Sequence, residues 1–159
     1  MNNKPMVLFD IDYTLFDTDK FKESQLQSYS IYKEVMEMLT ELSGMVDMGI
    51  FSTGEIEFQK SKLVKTGMMQ FFKEHHIHIF SNKDENLIGV LEKYRNSQVF
   101  LIDDKLSVLH LAKKHAQDIF TIWVKRGPYA LVQEEISGFK PSFVVENLSE
   151  VVRIVKSNS

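Results

Sequence analysis

The sequence predicts an α/β fold: a three-layer, Rossmann-like parallel sheet with helices on both faces. Two observations predict it. Short apolar runs rich in strand formers recur along the chain and alternate with segments of helical period, the pattern of βαβ units. Every polar residue of chemical interest also falls directly after one of those runs. In open parallel sheets ligands bind beyond the carboxyl ends of the strands, at the switch point of the strand order.

The length of 159 residues suits one domain spanning 1–159, large enough to bury roughly two thirds of its unfolded surface. A hydrophobic content of 43% and a charged content of 26% are ordinary for a globular chain. The net charge of −3, without a long basic run, argues against nucleic acid as a partner. Cysteine is absent, which excludes disulfides and thiolate metal sites and fits a reducing compartment. Met1-Asn2-Asn3-Lys4-Pro5 has no signal-like apolar region, and no run approaches membrane-spanning length. A cytoplasmic protein without membrane contact is expected.

The first strand, Pro5 to Phe9, reads as buried on both faces and ends in Asp10-Ile11-Asp12-Tyr13-Thr14-Leu15. Two carboxylates that close repel unless something positive sits between them, such as a divalent cation or a bound phosphoryl group with its counter-ions. An acidic turn capping the next segment is the bland alternative. A polar turn, Phe16 to Phe21, precedes a helix expected from about Glu23 to Leu42, because Leu26, Tyr29, Tyr32, Val35, Met36, Leu39 and Leu42 recur at spacings of three and four. A second strand, Met48 to Phe51, ends in Ser52-Thr53-Gly54. Hydroxyls beside a glycine suit phosphate, and equally a turn with a helix cap.

The helix from Glu55 to Gly67 offers Phe58, Leu63 and Val64 to the core, and a helical turn spans Met68 to Phe72. The third strand is Ile77 to Phe80. His76 and His78 would share one of its faces at a spacing zinc can use, but without a third ligand a partly exposed strand start is the better reading. Lys83 follows the strand, ahead of a helix from Glu85 to Arg95. The fourth strand, Val99 to Ile102, runs into Asp103-Asp104, adjacent carboxylates that are costly to bury without a cation. A helix from Lys105 to His115, a fifth strand from Ile119 to Val124, a short sixth from Phe143 to Val145 and a helix from Leu148 to Val155 complete the chain. Lys125 and Arg126, leaving the fifth strand, suit either an anionic substrate or a solvated loop.

Asp10-Ile11-Asp12-Tyr13-Thr14 resembles motif I, D-x-D-x-T, of the haloacid dehalogenase (HAD) superfamily. Ser52, with Thr53 as the fallback, resembles motif II; Lys83 resembles motif III, with Lys60, Lys62 and Lys65 as competitors; Asp103-Asp104 resembles the D-D form of motif IV. Val108 departs from the fuller form, standing where a last Asp would be.

The resemblance implies a Mg²⁺-dependent phosphatase acting through an aspartyl-phosphate. Asp10 would be the nucleophile and Asp12 the general acid and base. Asp10, the backbone carbonyl of Asp12, and Asp104 with help from Asp103 would hold Mg²⁺, while Ser52 or Thr53 and Lys83 would hold the phosphoryl oxygens. Dehalogenases of the superfamily lack the second acid. The alternatives are a phosphate-sensing receiver-like module, a catalytically idle HAD-fold binding protein and a phosphomutase. Neither the stretch after motif I nor Lys83 to Gln98 leaves room for a cap domain. A capless enzyme with an open site is therefore expected, acting on a bulky phosphorylated substrate or forming an oligomer that covers the site.

Overall fold

In the computed structural model, which describes residues 3–159, the chain is built on β1 (Met6–Phe9), all four residues of which are buried. Met1 and Asn2 of the polar N-terminal stretch lie outside the described residues. β1 is flanked on one side by β2 (Asp47–Thr53) and β3 (Ile77–Phe80), and on the other by β4 (Val99–Asp103), β5 (Phe120–Val124) and β6 (Phe143–Val145). The order β3-β2-β1-β4-β5-β6 and uniformly parallel pairing make a Rossmann-like sheet. A receiver domain would instead run 2-1-3-4-5, so the receiver-like alternative falls on topology.

Alternation along β1 divides the core in two. Val7 and Phe9 face a layer made by α2 (Val35–Leu42), Leu63 of α3 (Ile56–Lys65), and α7 (Val151–Ser157). Met6 and Leu8 face the other layer, made by α4 (Leu87–Lys93) and α5 (Leu106–His115). The switch point lies between β1 and β4, where the chain leaves the sheet first to one side and later to the other.

Three expectations from the sequence need correction. The long helix from Glu23 to Leu42 is two short ones, α1 (Thr18–Glu23) and α2, joined by irregular chain. Gln25 and Leu26 adopt positive φ, 57° and 64°, and the Ser24 hydroxyl accepts from the amides of Gln27 and Ser28, competing with helical pairing. In α3 the apolar residues Phe58 and Val64 are 41% and 61% exposed, whereas Gln59 and Lys62 are buried, because that face of the helix looks at the carboxyl end of the sheet. No helix is expected directly after Lys125 and Arg126, yet α6 (Gly127–Val132) begins there, with Pro128 in its first turn, where a missing amide hydrogen costs nothing.

Among the described residues no folded unit is inserted between β1 and β2 or between β3 and β4; the first stretch holds only α1 and α2, the second a 3-10 turn and α4. No helix among them is long and apolar enough to cross a membrane.

Candidate active site

Asp10 is the first residue beyond β1, and its amide donates to the carbonyl of Ile102 in β4 (3.0 Å). The chain then turns tightly: the amides of Thr14, Leu15 and Phe16 all donate to the carbonyl of Ile11, and Tyr13 takes a positive φ of 64°. This turn aims the Thr14 hydroxyl back at Asp10, to which it donates at 3.2 Å. Arg126, at the start of α6, fixes the turn from outside. Its guanidinium donates to the Thr14 carbonyl, pairs with Glu34 (2.6 Å) and lies 3.5 Å over the Tyr32 ring. Arg126 is thus committed to structure rather than to an anionic substrate.

Lys83 is 4% exposed and reaches under Asp10. Its ammonium contacts Asp10 Oδ1 (3.1 Å), Asp103 Oδ2 (2.5 Å) and the Phe51 carbonyl (3.2 Å). Burial works against its charge, but the carboxylates of Asp10 and Asp103 outweigh that and hold the lysine protonated well above its ordinary range. Asp103 is fully engaged, since its other oxygen accepts from the Lys105 amide (2.9 Å). Asp104 is not. Its carbonyl accepts from the Trp123 indole (2.9 Å), but its buried Oδ2 has no partner.

One oxygen from each of Asp10, Asp103 and Asp104 lies within 4.8 Å of the other two. Burial, and next the Asp103 charge, push the Asp10 carboxyl up to about 6. Burial, then Asp10 and Asp103, push Asp104 up to about 10. Fully ionised, the three carboxyl groups would carry two more negative charges than the one ammonium offsets, which is why Asp104 holds a proton in the metal-free protein, and all the donors are hard oxygens. A divalent ion such as Mg²⁺ matches both the charge and the donor set, and the unpartnered Asp104 Oδ2 supplies a ready ligand.

Asp12 belongs to a second cluster. Its side chain accepts from Lys62 Nζ (2.7 Å), Thr18 Oγ1 (3.1 Å) and Gln59 Nε2 (3.1 Å), and so turns away from the three-carboxylate group. The Lys62 ammonium, 4% exposed, sits about 5 Å from the ring centres of Phe16 (5.0 Å) and Phe58 (4.8 Å), which shield it from water. Both clusters open into one cavity of about 370 Å³, walled by Thr53, Phe58, Leu26, Tyr13 and Tyr129.

No family model matches the chain, and no curated protein does. Solved structures do match. A Burkholderia xenovorans LB400 protein assigned as a haloacid dehalogenase-like hydrolase superposes with a TM-score of 0.80 at 20% identity, over 98% of this chain and 98% of that one. A Bacillus subtilis protein assigned as a HAD-hydrolase, in a structure bound to magnesium, gives 0.75 at 13% identity, over 97% and 99%. A Thermotoga maritima protein assigned as a beta-phosphoglucomutase gives 0.67 at 15% identity, over 96% and 99%. The fold is that of the haloacid dehalogenase-like hydrolases.

Within this HAD-like fold the four motif-like segments sit at the ends of β1, β2, β3 and β4, and converge. Asp10, Lys83, Asp103 and Asp104 come together directly. Ser52 is buried and its hydroxyl is shared with Gln59 (3.1 Å), whereas Thr53 lines the cavity and its hydroxyl accepts from the Lys83 amide (3.2 Å). Of the competing lysines, Lys62 faces Asp12, Lys60 pairs with Glu74 at the surface, and Lys65 lies 4.2 Å over the Tyr29 ring. Val108 is buried in α5. Gln59, Thr18 and Arg126's structural role escaped the sequence reading. Only the polar spacing of Gln59 and Lys62, one helical turn apart, could have signalled a site-facing edge of α3.

The histidines form no site. His78 is buried rather than partly exposed, paired with the Tyr94 hydroxyl (2.6 Å), and burial followed by the Lys93 charge lowers it to about 4. Among the described residues the only group of three potential metal ligands is the aspartate trio.

Proposed function

We propose that the protein is a Mg²⁺-dependent phosphatase that hydrolyses a phosphomonoester through an aspartyl-phosphate on Asp10. The observation that carries this reading is the Asp10 carboxylate, held at the switch point by Lys83 on one oxygen and Thr14 on the other, with an unpartnered carboxylate oxygen of Asp104 beside it. A carboxylate so oriented is a positioned nucleophile. Asp12, facing the same cavity two residues on, is the neighbouring acid that simple dehalogenation does not need.

An Asp10 oxygen forms a bond to phosphorus as the ester P–O bond breaks, and the departing oxygen takes a proton from the Asp12 carboxyl. Asp12, now a carboxylate, takes a proton from water as that water's oxygen attacks phosphorus and the bond from phosphorus to the Asp10 oxygen breaks. Inorganic phosphate leaves and Asp10 is regenerated. Lys83 and the Thr53 hydroxyl stand where the phosphoryl oxygens gain charge. Asp10, Asp104 and the backbone carbonyl of Asp12 would hold Mg²⁺, which when bound neutralises charge on the phosphoryl group and on Asp10. Asp103, with both oxygens engaged, serves chiefly to hold Lys83. We place the protein in the cytoplasm, as a single domain.

The test is phosphate release from p-nitrophenyl phosphate, with and without Mg²⁺. Asp10→Asn should lose roughly 10⁴- to 10⁶-fold in kcat, and Asp12→Asn roughly 10²- to 10⁴-fold with Mg²⁺ affinity retained. Turnover undiminished in Asp10→Asn would sink the mechanism. Transfer of phosphate to an added alcohol in preference to water would point instead to a mutase.

A further inference from the structure

The cavity holds more positive charge than the phosphoryl end uses. Lys83 and Lys62 are both buried and both committed to aspartates. Lys22 and Lys105, which also line it, have no carboxylate within ion-pairing distance among the described residues. Each is instead mounted on a tyrosine. Lys22 donates to the Tyr13 hydroxyl (3.0 Å), a bond that raises its proton affinity. Lys105 Nζ makes no hydrogen bond among the described residues and lies 4.5 Å over the Tyr129 ring. The two rings meet edge to face, 5.9 Å between centres, so both ammonium groups belong to one wall.

That wall stands on the Tyr13–Tyr129 side of the cavity, while Phe58 and Leu26 contribute apolar surface to its lining. A volume of about 370 Å³ exceeds what a phosphoryl group needs and is at the small end of ordinary ligand pockets. An ammonium poised over a ring is partly satisfied by the ring's negative face, yet keeps its donors for an anion.

Resting on the phosphatase reading, we infer that the substrate is a small phosphomonoester carrying a second anionic group, a carboxylate or another phosphate, which Lys22 and Lys105 bind while the leaving group lies against the apolar lining. A phosphopeptide with an acidic residue beside the phosphorylated one presents the same chemistry, and the experiment separates the two sources.

The experiment compares kcat/KM, with Mg²⁺, for phenyl phosphate and 3-carboxyphenyl phosphate, and for phosphotyrosine peptides with and without an adjacent glutamate. The carboxylated aryl ester should be favoured roughly tenfold, mainly through KM, with the peptide pair showing less. In Lys22→Met and Lys105→Met the ratio should fall toward one. A preference confined to the peptide pair would overturn the small-molecule source. A ratio near one in both pairs, or one unmoved by both substitutions, would overturn the second-anion site.

The aryl pair is also titrated calorimetrically onto the Asp10→Asn protein. If no ester is hydrolysed but the carboxylated one binds more tightly, and Lys22→Met in that background removes the difference, the site stands and the phosphatase reading fails. Equal binding there overturns the site.

Discussion

Among the described residues Lys83 is the only cation paired with the three buried aspartates, so its loss cannot be absorbed by solvent. Removing one partner of a buried ion pair typically costs about 3 to 5 kcal/mol, because the charge left behind stays buried. Lys83→Met should therefore lower the stability of the metal-free protein by that order in chemical denaturation, and Mg²⁺ should recover part of the loss. A substitution worth less than about 1 kcal/mol would mean that the aspartates are already neutral. The aspartates themselves were legible in the sequence, since a carboxylate pair after a buried strand is hard to explain without a cation. Lys83 was legible only by its place after β3. Asp12's partners were not, because nothing in a linear sequence shows that Gln59 and Lys62 turn inward while Phe58 turns out.

At the scale of elements, strands were easy to read and junctions were not. Parallel strands buried on both faces appear as continuous apolar runs, as β1 does and β4 does up to Asp103, whereas β3 carries His78 and the short edge strand β6 leaves Val144 exposed. The apolar period carries on unbroken across Leu26, Tyr29 and Tyr32, so the break between α1 and α2 left no mark beyond three serines. The contact between the motif I turn and α6 is likewise invisible in sequence, and it can be tested. Gly127 has φ of +83°, and a Cβ there would stand 2.6 Å from the Tyr13 ring. Gly127→Ala should cost about 1 to 3 kcal/mol from backbone strain, with more from the clash. Its melting temperature should fall, and kcat should fall with it, since Tyr13 sits between Asp12 and Thr14. Wild-type values for both would show that α6 is not coupled to the turn.

For the molecule as a whole, the aspartate trio makes stability depend jointly on pH and metal. Asp104, raised to about 10, keeps a proton in the metal-free native state that the unfolded chain has lost above about pH 4. A folded-state pKa raised above the unfolded value means that stability falls as pH rises through that interval. Asp10, at about 6, has largely ionised by pH 7, and His78 titrates below the same point, which leaves Asp104 to set the slope between pH 7 and 9. In EDTA the melting temperature should drop across that range. Mg²⁺ at a hundred times its dissociation constant should add about 2.7 kcal/mol and flatten the slope, since binding requires the ionised carboxylates. A metal-free melting temperature constant from pH 7 to 9 would contradict the buried cluster.

The site expected to be open for want of a cap is bordered by α1, Leu26 and Tyr129. One more consequence concerns the order in which the chain is made. The nucleophile's turn, near residue 14, is clamped by a guanidinium more than a hundred residues later. A ribosome will have released β1, β2, β3 and β4 before that clamp exists. Nascent chains halted before Arg126 should hold much of the sheet yet leave the Asp10 turn loose and open to proteolysis, so that competence arrives late in synthesis, as a single event.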